Sequence, residues 1–311
     1  MHYSLIHFQV RSNLEITTSA KIGYESQCNK RSYAGFFTSL CYNEKNESKG
    51  KVQQMITSTS NAQVKHLLQL QKKSKIRNEE QVFLVEGLRM FAEVPAERVE
   101  KVYISETLYD KKKNELDLRR FSVEILSDTV FQYVSDTKTP QGILCIVKQK
   151  QYDVGEILKI KTPHFMVLDN LQDPGNLGTI VRTAEGAGVD AVFLSKESVD
   201  IHNPKTIRST MGSIYRMPVI YIEDLPKLLA IFKQKGIKSY AAHLDGKNTY
   251  DKEDYTGGTA ILIGNEGNGL RDEVAREADI LVRIPMQGQV ESLNAAIAAS
   301  ILMFEVYRQR R

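Results

Sequence analysis

Cysteine is scarce in this sequence: three stand among 311 residues, Cys28, Cys41 and Cys145. An odd number without paired spacing argues against a disulfide framework and against a zinc site, so no metal is expected. Cys145 lies in the apolar run GILCIV, where a small buried thiol is the natural reading. Reduced thiols fit a cytoplasmic location. Long apolar runs are missing too. None approaches the roughly 20 residues that a membrane helix needs, and the opening MHYSLIHFQVRSNLEITT lacks the apolar core of a secretory signal. No membrane association is expected. No internal repeat is visible. Neither sign of charge dominates: 42 Lys and Arg stand against 38 Asp and Glu, a formal net charge of +4. That balance permits nucleic-acid binding without requiring it. What remains, 41% hydrophobic and 26% charged residues, is ordinary for a globular protein. The length suggests two domains with enough chain to bury a core.

Residues 1–54 read unlike the rest, polar and poorly periodic. They are expected to be a disordered extension or an untranslated stretch, with a small accessory element as the alternative. Met55 opens a segment with good helix N-cap candidates at Ser58, Ser60 and Asn61, followed by Val64, Leu67, Leu68 and Leu70 at helical spacing. From there to about residue 150 strands are expected at 81–87, 101–106, 122–127 and 141–149, with short helices at 88–94 and 129–134: a compact α/β module. Lys72, Lys73, Lys75 and Arg77 form a basic cluster before the first strand, either a solvated loop or an RNA contact. Residues 151–163 read as a linker ended by Pro163. From 164 to 311 strands are expected at 165–170, 191–195, 218–223, 238–244, 259–264 and 280–285. Helices are expected at 178–187, 205–213, 225–235, 270–278 and 293–309, the last with Leu293, Ile297, Ile301 and Phe304 on one face. Repeated strand–helix alternation predicts a mostly parallel sheet covered on both faces.

Three segments of this second half carry chemistry. DNLQDPGNLGTIVRTAEGAG (169–188) follows a strand and opens a helix, so its backbone amides can face a ligand, and the fork of Arg182 matches phosphate oxygens. ILIGNEGNGL (261–270) sets three glycines around Glu266. It lacks the Lys and Ser/Thr of a Walker A loop and the G-x-G-x-x-G spacing of a dinucleotide site. IPMQGQVESLNAAIAASILMFE (284–305) leads from a strand end into a helix rich in small residues. Each alone has a bland reading: a turn with a surface Arg, a glycine loop, a packed terminal helix.

Together, in this order, they resemble the SpoU (TrmH) family of RNA ribose 2′-O-methyltransferases in the SPOUT superfamily. N-x-G-x-x-x-R appears as Asn176, Gly178 and Arg182, G-N-E-G as 264–267, and I-P-M…S-L-N as Ile284, Pro285, Met286, Ser292, Leu293 and Asn294. The stretch Asn203–Val219 adds to the likeness, and VEGLRM (85–90) lies in a region similar to an L30e-type RNA-binding domain. The resemblance implies an α/β trefoil-knot domain preceded by a small α/β L30e-like domain. It implies S-adenosylmethionine (AdoMet) as cofactor, held by Gly264, Ile284, Met286 and Leu293. It implies a homodimer, with Arg182 as the central catalytic residue supported by Asn176, Glu266, Ser292 and Asn294. A guanidinium has a pKa above about 12 and stays charged, which favours Arg182 as a phosphate clamp over a proton acceptor. Lys72, Lys73, Lys75, Arg77, Arg89, Lys205 and Arg208 would follow the RNA backbone. The expected substrate is structured RNA, rRNA ahead of tRNA. An antibiotic-resistance methyltransferase, an RNA-binding ribosome-assembly factor without activity and a Rossmann-type oxidoreductase are the alternatives.

Overall fold

The computed structural model describes residues 55–311; the expectation for residues 1–54 lies outside them. The chain opens with α1 (Ala62–Lys72), which starts where the Asn61 side chain accepts a hydrogen bond from the N–H of Gln63. There follow α2 (Ser74–Glu80), β1 (Val82–Glu86), α3 (Leu88–Glu93), β2 (Val99–Ser105), α4 (Glu106–Lys112), β3 (Val123–Leu126), α5 (Asp128–Val134) and β4 (Ile143–Lys148). Two helices differ from expectation. A loop was expected where α2 forms. At α4, the Ser105 hydroxyl caps the helix by accepting from Leu108 N–H, a signal that the β-rich pattern before it hides. The four strands lie in the order β1-β4-β2-β3. Alternation divides their side chains by face. Val82, Leu84, Leu144 and Ile146 join Val64, Leu67 and Leu70 of α1 in one core. Phe83, Val85, Ile143, Cys145 and Val147 point to the other face.

After the short helix α6 (Val154–Ile157) come β5 (His164–Leu168), α7 (Pro174–Gly186), β6 (Ala191–Ser195), α8 (Pro204–Thr210), β7 (Val219–Ile222), α9 (Leu225–Gln234), β8 (Lys238–Ala242), β9 (Asn248–Thr249), β10 (Thr259–Ile263), α10 (Asp272–Glu277), β11 (Ile280–Arg283) and α11 (Ala295–Arg310). The seven strands form a sheet in the order β7-β6-β5-β10-β8-β11-β9, and every pairing is parallel. Met166 and Leu168 face one core, Phe165 and Val167 the other, as a sheet covered on both sides requires.

The first of these cores does not stop at the sheet. Phe83, Val85 and Cys145 of the small sheet belong to the same buried cluster as Ile201, Ile207, Ile214, Tyr215 and Met217 around α8. Polar contacts cross there as well: Tyr215 Oη donates to the carbonyl of Met90 at 3.1 Å, and Arg216 joins Glu93 at 3.0 Å and also Glu185. Arg208 meets Asp136 at 2.6 Å. The rings of Phe83 and His202 stack at 4.9 Å. Arg77 corrects the reading of the 72–77 cluster. It is buried, 3% exposed, and its Nε lies 3.2 Å from Asp200. It fastens the modules from inside and cannot meet an RNA backbone.

Helix α11 also departs from expectation. Its core face is Ala295, Ala296, Ala299, Leu302, Met303 and Val306. The predicted stripe turns outward, leaving Ile297 51% and Phe304 47% exposed. Among the described residues no helix is long and apolar enough to cross a membrane.

Candidate active site

The carboxyl ends of β5 and β10 meet side by side in the parallel sheet, and the loops that leave them build the site. Asp169, the first residue after β5, is completely buried. Its carboxylate accepts from the backbone N–H of Arg271 at 2.9 Å and from its guanidinium at 2.7–2.9 Å. That pair ties the end of the glycine loop to the root of the β5 loop. Asn265 adds a second tie, donating from Nδ2 to the carbonyl of Asn170 at 2.8 Å. The loop closes on itself through hydrogen bonds in both directions between Asn265 and Gly269. Gly264 has no room for a side chain, since a Cβ there would lie 2.0 Å from the carbonyl carbon of Gly269.

This folding carries Glu266 across to α7. Its carboxylate accepts from the N–H groups of Gln172 at 3.0 Å and Asp173 at 2.9 Å, and from Nδ2 of Asn176 at 3.0 Å. Partial burial opposes ionisation of Glu266, but these donors outweigh it and hold the carboxyl below its ordinary value. Asn176 Oδ1 in turn accepts from Asn294 Nδ2 at 2.9 Å. Asn294 caps α11, accepting from Ala296 N–H at 2.9 Å. Three segments far apart in sequence therefore meet in one relay, Glu266–Asn176–Asn294. Asp173 caps α7 through the N–H of Asn176 at 2.8 Å, with Pro174 in the first turn, so the helix starts four residues before its expected position. Hydrogen bonding from the Asn176 N–H and then from Lys205 lowers the Asp173 pKa.

The other expected site residues lie as follows. Ser292 is exposed in the loop before Asn294. Arg182 stands on the exposed face of α7, with no hydrogen bond or ion pair among the described residues. It lies six residues beyond Asn176, about 9 Å along the helix axis, so the relay does not include it. Ile284, Met286 and Leu293 are half-buried. Leu244, two residues beyond β8, is 70% exposed, and Val290 in the loop after β11 is 60% exposed. The loop of Leu244 is held to β11 by His243 N–H donating to the Val282 carbonyl at 2.9 Å. Apolar side chains left open at the ends of adjacent strands β8 and β11 suit the adenine of AdoMet, whereas Gly264 is buried under the return of its own loop. Lys205 reaches Asp173 at 3.4 Å. Arg89 is exposed, as are Lys72 at the end of α1, Lys73 between the helices and Lys75 on α2. Gly178 of the N-x-G motif is a packing residue, since a Cβ there would come within 2.4 Å of Ser209 on α8. Asp169, Arg271 and Leu244 escaped sequence reading. Leu244 was expected as the last residue of the strand KSYAAHL, but the strand ends at Ala242 and leaves it in the loop. Among the described residues no group of three or more His, Cys, Asp or Glu side chains could hold a metal ion.

Fold and site define a two-module α/β enzyme with a polar relay and an open apolar shelf at the carboxyl ends of a parallel sheet. Residues 163–304 match the SpoU rRNA Methylase family, and residues 61–145 match the MRM3-like substrate binding domain. The chain is 33% identical over 252 residues to the 23S rRNA (guanosine(2553)-2'-O)-methyltransferase RlmP of Bacillus subtilis, covering 81% of this chain and 98% of the relative. It is 32% identical to the 23S rRNA (guanosine-2'-O-)-methyltransferase RlmB of Haemophilus ducreyi, covering 74% and 98%. The crystal structure of an AdoMet-bound rRNA methyltransferase from Sinorhizobium meliloti superposes with a TM-score of 0.70 at 31% identity, covering 82% of this chain and 97% of that one. The chain belongs to the SpoU rRNA methylase family.

Proposed function

We propose that this chain transfers the methyl group of AdoMet to the 2′-oxygen of a ribose in structured RNA, with 23S-type rRNA as the favoured substrate. The observation that carries the reading is the Glu266–Asn176–Asn294 relay, assembled from all three family motifs. Two relatives named for guanosine in 23S rRNA favour a guanosine of that RNA.

AdoMet, when bound, supplies an electrophilic methyl on a sulfonium, so the chain's own residues have to align an oxygen and ease the loss of its proton. Gly264, Ile284, Met286 and Leu293, joined by Leu244, hold the cofactor. Glu266 and Asn294 lock the Asn176 amide in one orientation, and with Ser292 they orient the ribose. Arg182 has its guanidinium free for the target phosphate. A fixed positive charge there stabilises the developing alkoxide and lowers the hydroxyl's pKa. Lys205 and Arg208 on α8, with Arg89 on α3, mark a basic path from the small module to the relay, and Lys72, Lys73 and Lys75 extend the basic surface.

A second copy of this chain covers the outer face of α11, where Ile297, Phe304 and Tyr307 stand exposed. The exposed face of α7 that carries Arg182 lies beside it, since α7 packs on α11 through Thr183 and Ser300. In the homodimer Arg182 can then serve a site shared between subunits. The family's trefoil threading, a substrate-binding module at 55–150, a linker at 151–163, a catalytic domain at 164–311 and action in the cytoplasm belong to the same proposal. The test is to map 2′-O-methyl sites in rRNA and tRNA with and without the protein. Loss of methylation at one 23S rRNA ribose is expected; an unchanged map in both RNAs refutes the reading.

A further inference from the structure

A cleft of about 630 Å³ opens where the two modules meet, away from the relay. Asn78 of α2 forms one wall, Lys150 and Tyr152 of the connector another, and Tyr221 of edge strand β7 a third, with His202 on the floor. The volume falls within the roughly 300–1,000 Å³ of ligand sites. None of its free groups is acidic. Lys150 holds its ammonium 4.9 Å from the Tyr152 ring centroid and has no carboxylate partner among the described residues. The Asn78 amide makes no hydrogen bond among them. The Tyr221 hydroxyl accepts from Ile201 N–H and donates to the carbonyl of Val199, both at 2.8 Å. That anchors its ring with 39% of the residue exposed. Asp200 is matched by buried Arg77, so the one carboxylate in the lining does not leave the cleft negative.

An ammonium without a carboxylate partner, a free amide and the anchored, partly exposed ring of Tyr221 are what a splayed nucleotide uses: phosphate contact, base-edge hydrogen bonding and stacking. The cleft is also tied to the catalytic loop. Leu171 N–H donates to Ser198 Oγ at 3.2 Å, and Val199 N–H donates to the Leu171 carbonyl at 2.8 Å. Leu171 directly precedes the Gln172 and Asp173 amides that hold Glu266. The basic residues Lys73 and Lys75 flank the Asn78 wall in sequence, which gives the 72–75 cluster a place in recognition.

We propose that this cleft holds an unpaired nucleotide of the substrate RNA, distinct from the nucleotide that is methylated. The inference rests on the RNA-methylation reading and adds a recognition site to it. The test uses the full chain, a 23S rRNA transcript and two measurements, RNA affinity across a salt series and steady-state methyl transfer. Lys150→Glu combined with Asn78→Ala changes only exposed side chains. It is expected to raise the RNA Kd and the KM for RNA roughly tenfold, with kcat at saturating RNA and AdoMet affinity unchanged. Lys150→Ala alone should reduce the slope of log K against log salt by about one, and Lys150→Arg should restore it. An active wild type whose double variant keeps its RNA affinity and salt slope overturns the cleft proposal alone. A wild type that neither binds nor methylates rRNA or tRNA transcripts overturns both readings.

Discussion

Glu266 meets Asn176 across 90 residues of sequence, and Arg77 meets Asp200 across 123. Both contacts bring distant segments together, but on opposite terms. Glu266 is exposed and surrounded by neutral donors, so its charge is shared with whatever enters the loop cluster. Arg77 is sealed, and its charge is matched by a single carboxylate inside the molecule. The first arrangement holds a polar relay open to solvent. The second fixes the register between two modules that share a hydrophobic core. Recognition and chemistry are therefore carried by one body, and an RNA bound along the junction is held in a fixed position relative to the relay.

Separate substitutions can break each side of this comparison. The largest effect is expected at the junction. Arg77→Met leaves Asp200 half-buried without its partner, which costs about 3–5 kcal/mol for a broken buried pair. Thermal unfolding should show it as a clear fall in Tm, while the folded fraction keeps its turnover number. In the loop cluster the outcome inverts. Glu266→Gln sets an amide against the Gln172 and Asp173 N–H groups and loses charge-assisted bonds worth about 2–3 kcal/mol. We expect turnover to fall roughly 100-fold, together with a fall in Tm of a few degrees that is smaller than that of Arg77→Met. A large Tm loss with normal turnover would make Glu266 a structural residue like Arg77.

Gly178→Ala separates packing from ligand contact within one motif. Its Cβ would press on Ser209 and on the Thr206 carbonyl, an overpacking cost of about 1–3 kcal/mol. AdoMet affinity, measured by calorimetry on the folded protein, should hold. The smallest effect concerns pH. His164 is buried, 2% exposed, with Nε2 unpartnered. Burial, helped by Arg310, pushes its pKa down to about 3. The unfolded chain then binds a proton below about pH 6.5 that the folded chain refuses. Stability falls as pH drops through that point, by about 1 kcal/mol at pH 5.5 from this residue. His164→Phe should flatten that part of a denaturation–pH curve; an unaltered slope assigns the acid sensitivity elsewhere.

The loop cluster was legible in the sequence because chemistry restricts residue type at short spacing. Asn176, Glu266 and Asn294 were all marked by motifs. Asp169 and Arg271 were not, although they fasten the same loops, because an ion pair spanning 102 residues leaves no local pattern. Arg77 was misassigned for the opposite reason. It sits among lysines, and composition alone cannot tell a buried arginine from an exposed one. Of the stripe expected on α11, Ile297, Ile301 and Phe304 share the helix while Leu293 precedes it, and periodicity does not say whether such a stripe faces a core or a partner. The parallel sheet was predictable from strand–helix alternation. The shared core between the modules was not, since it depends on how α8 meets the second face of the small sheet.

Methyl transfer to a ribose, with Arg182 gripping the target phosphate, is open to direct test. The direct measurement incubates the purified chain with methyl-labelled AdoMet and a 23S rRNA transcript, digests the RNA to nucleosides and identifies the labelled product by mass spectrometry. We predict label on the 2′-oxygen of a single nucleoside, and none with Arg182→Ala even though that variant still binds AdoMet. Label on a base, or undiminished transfer by Arg182→Ala, would contradict it.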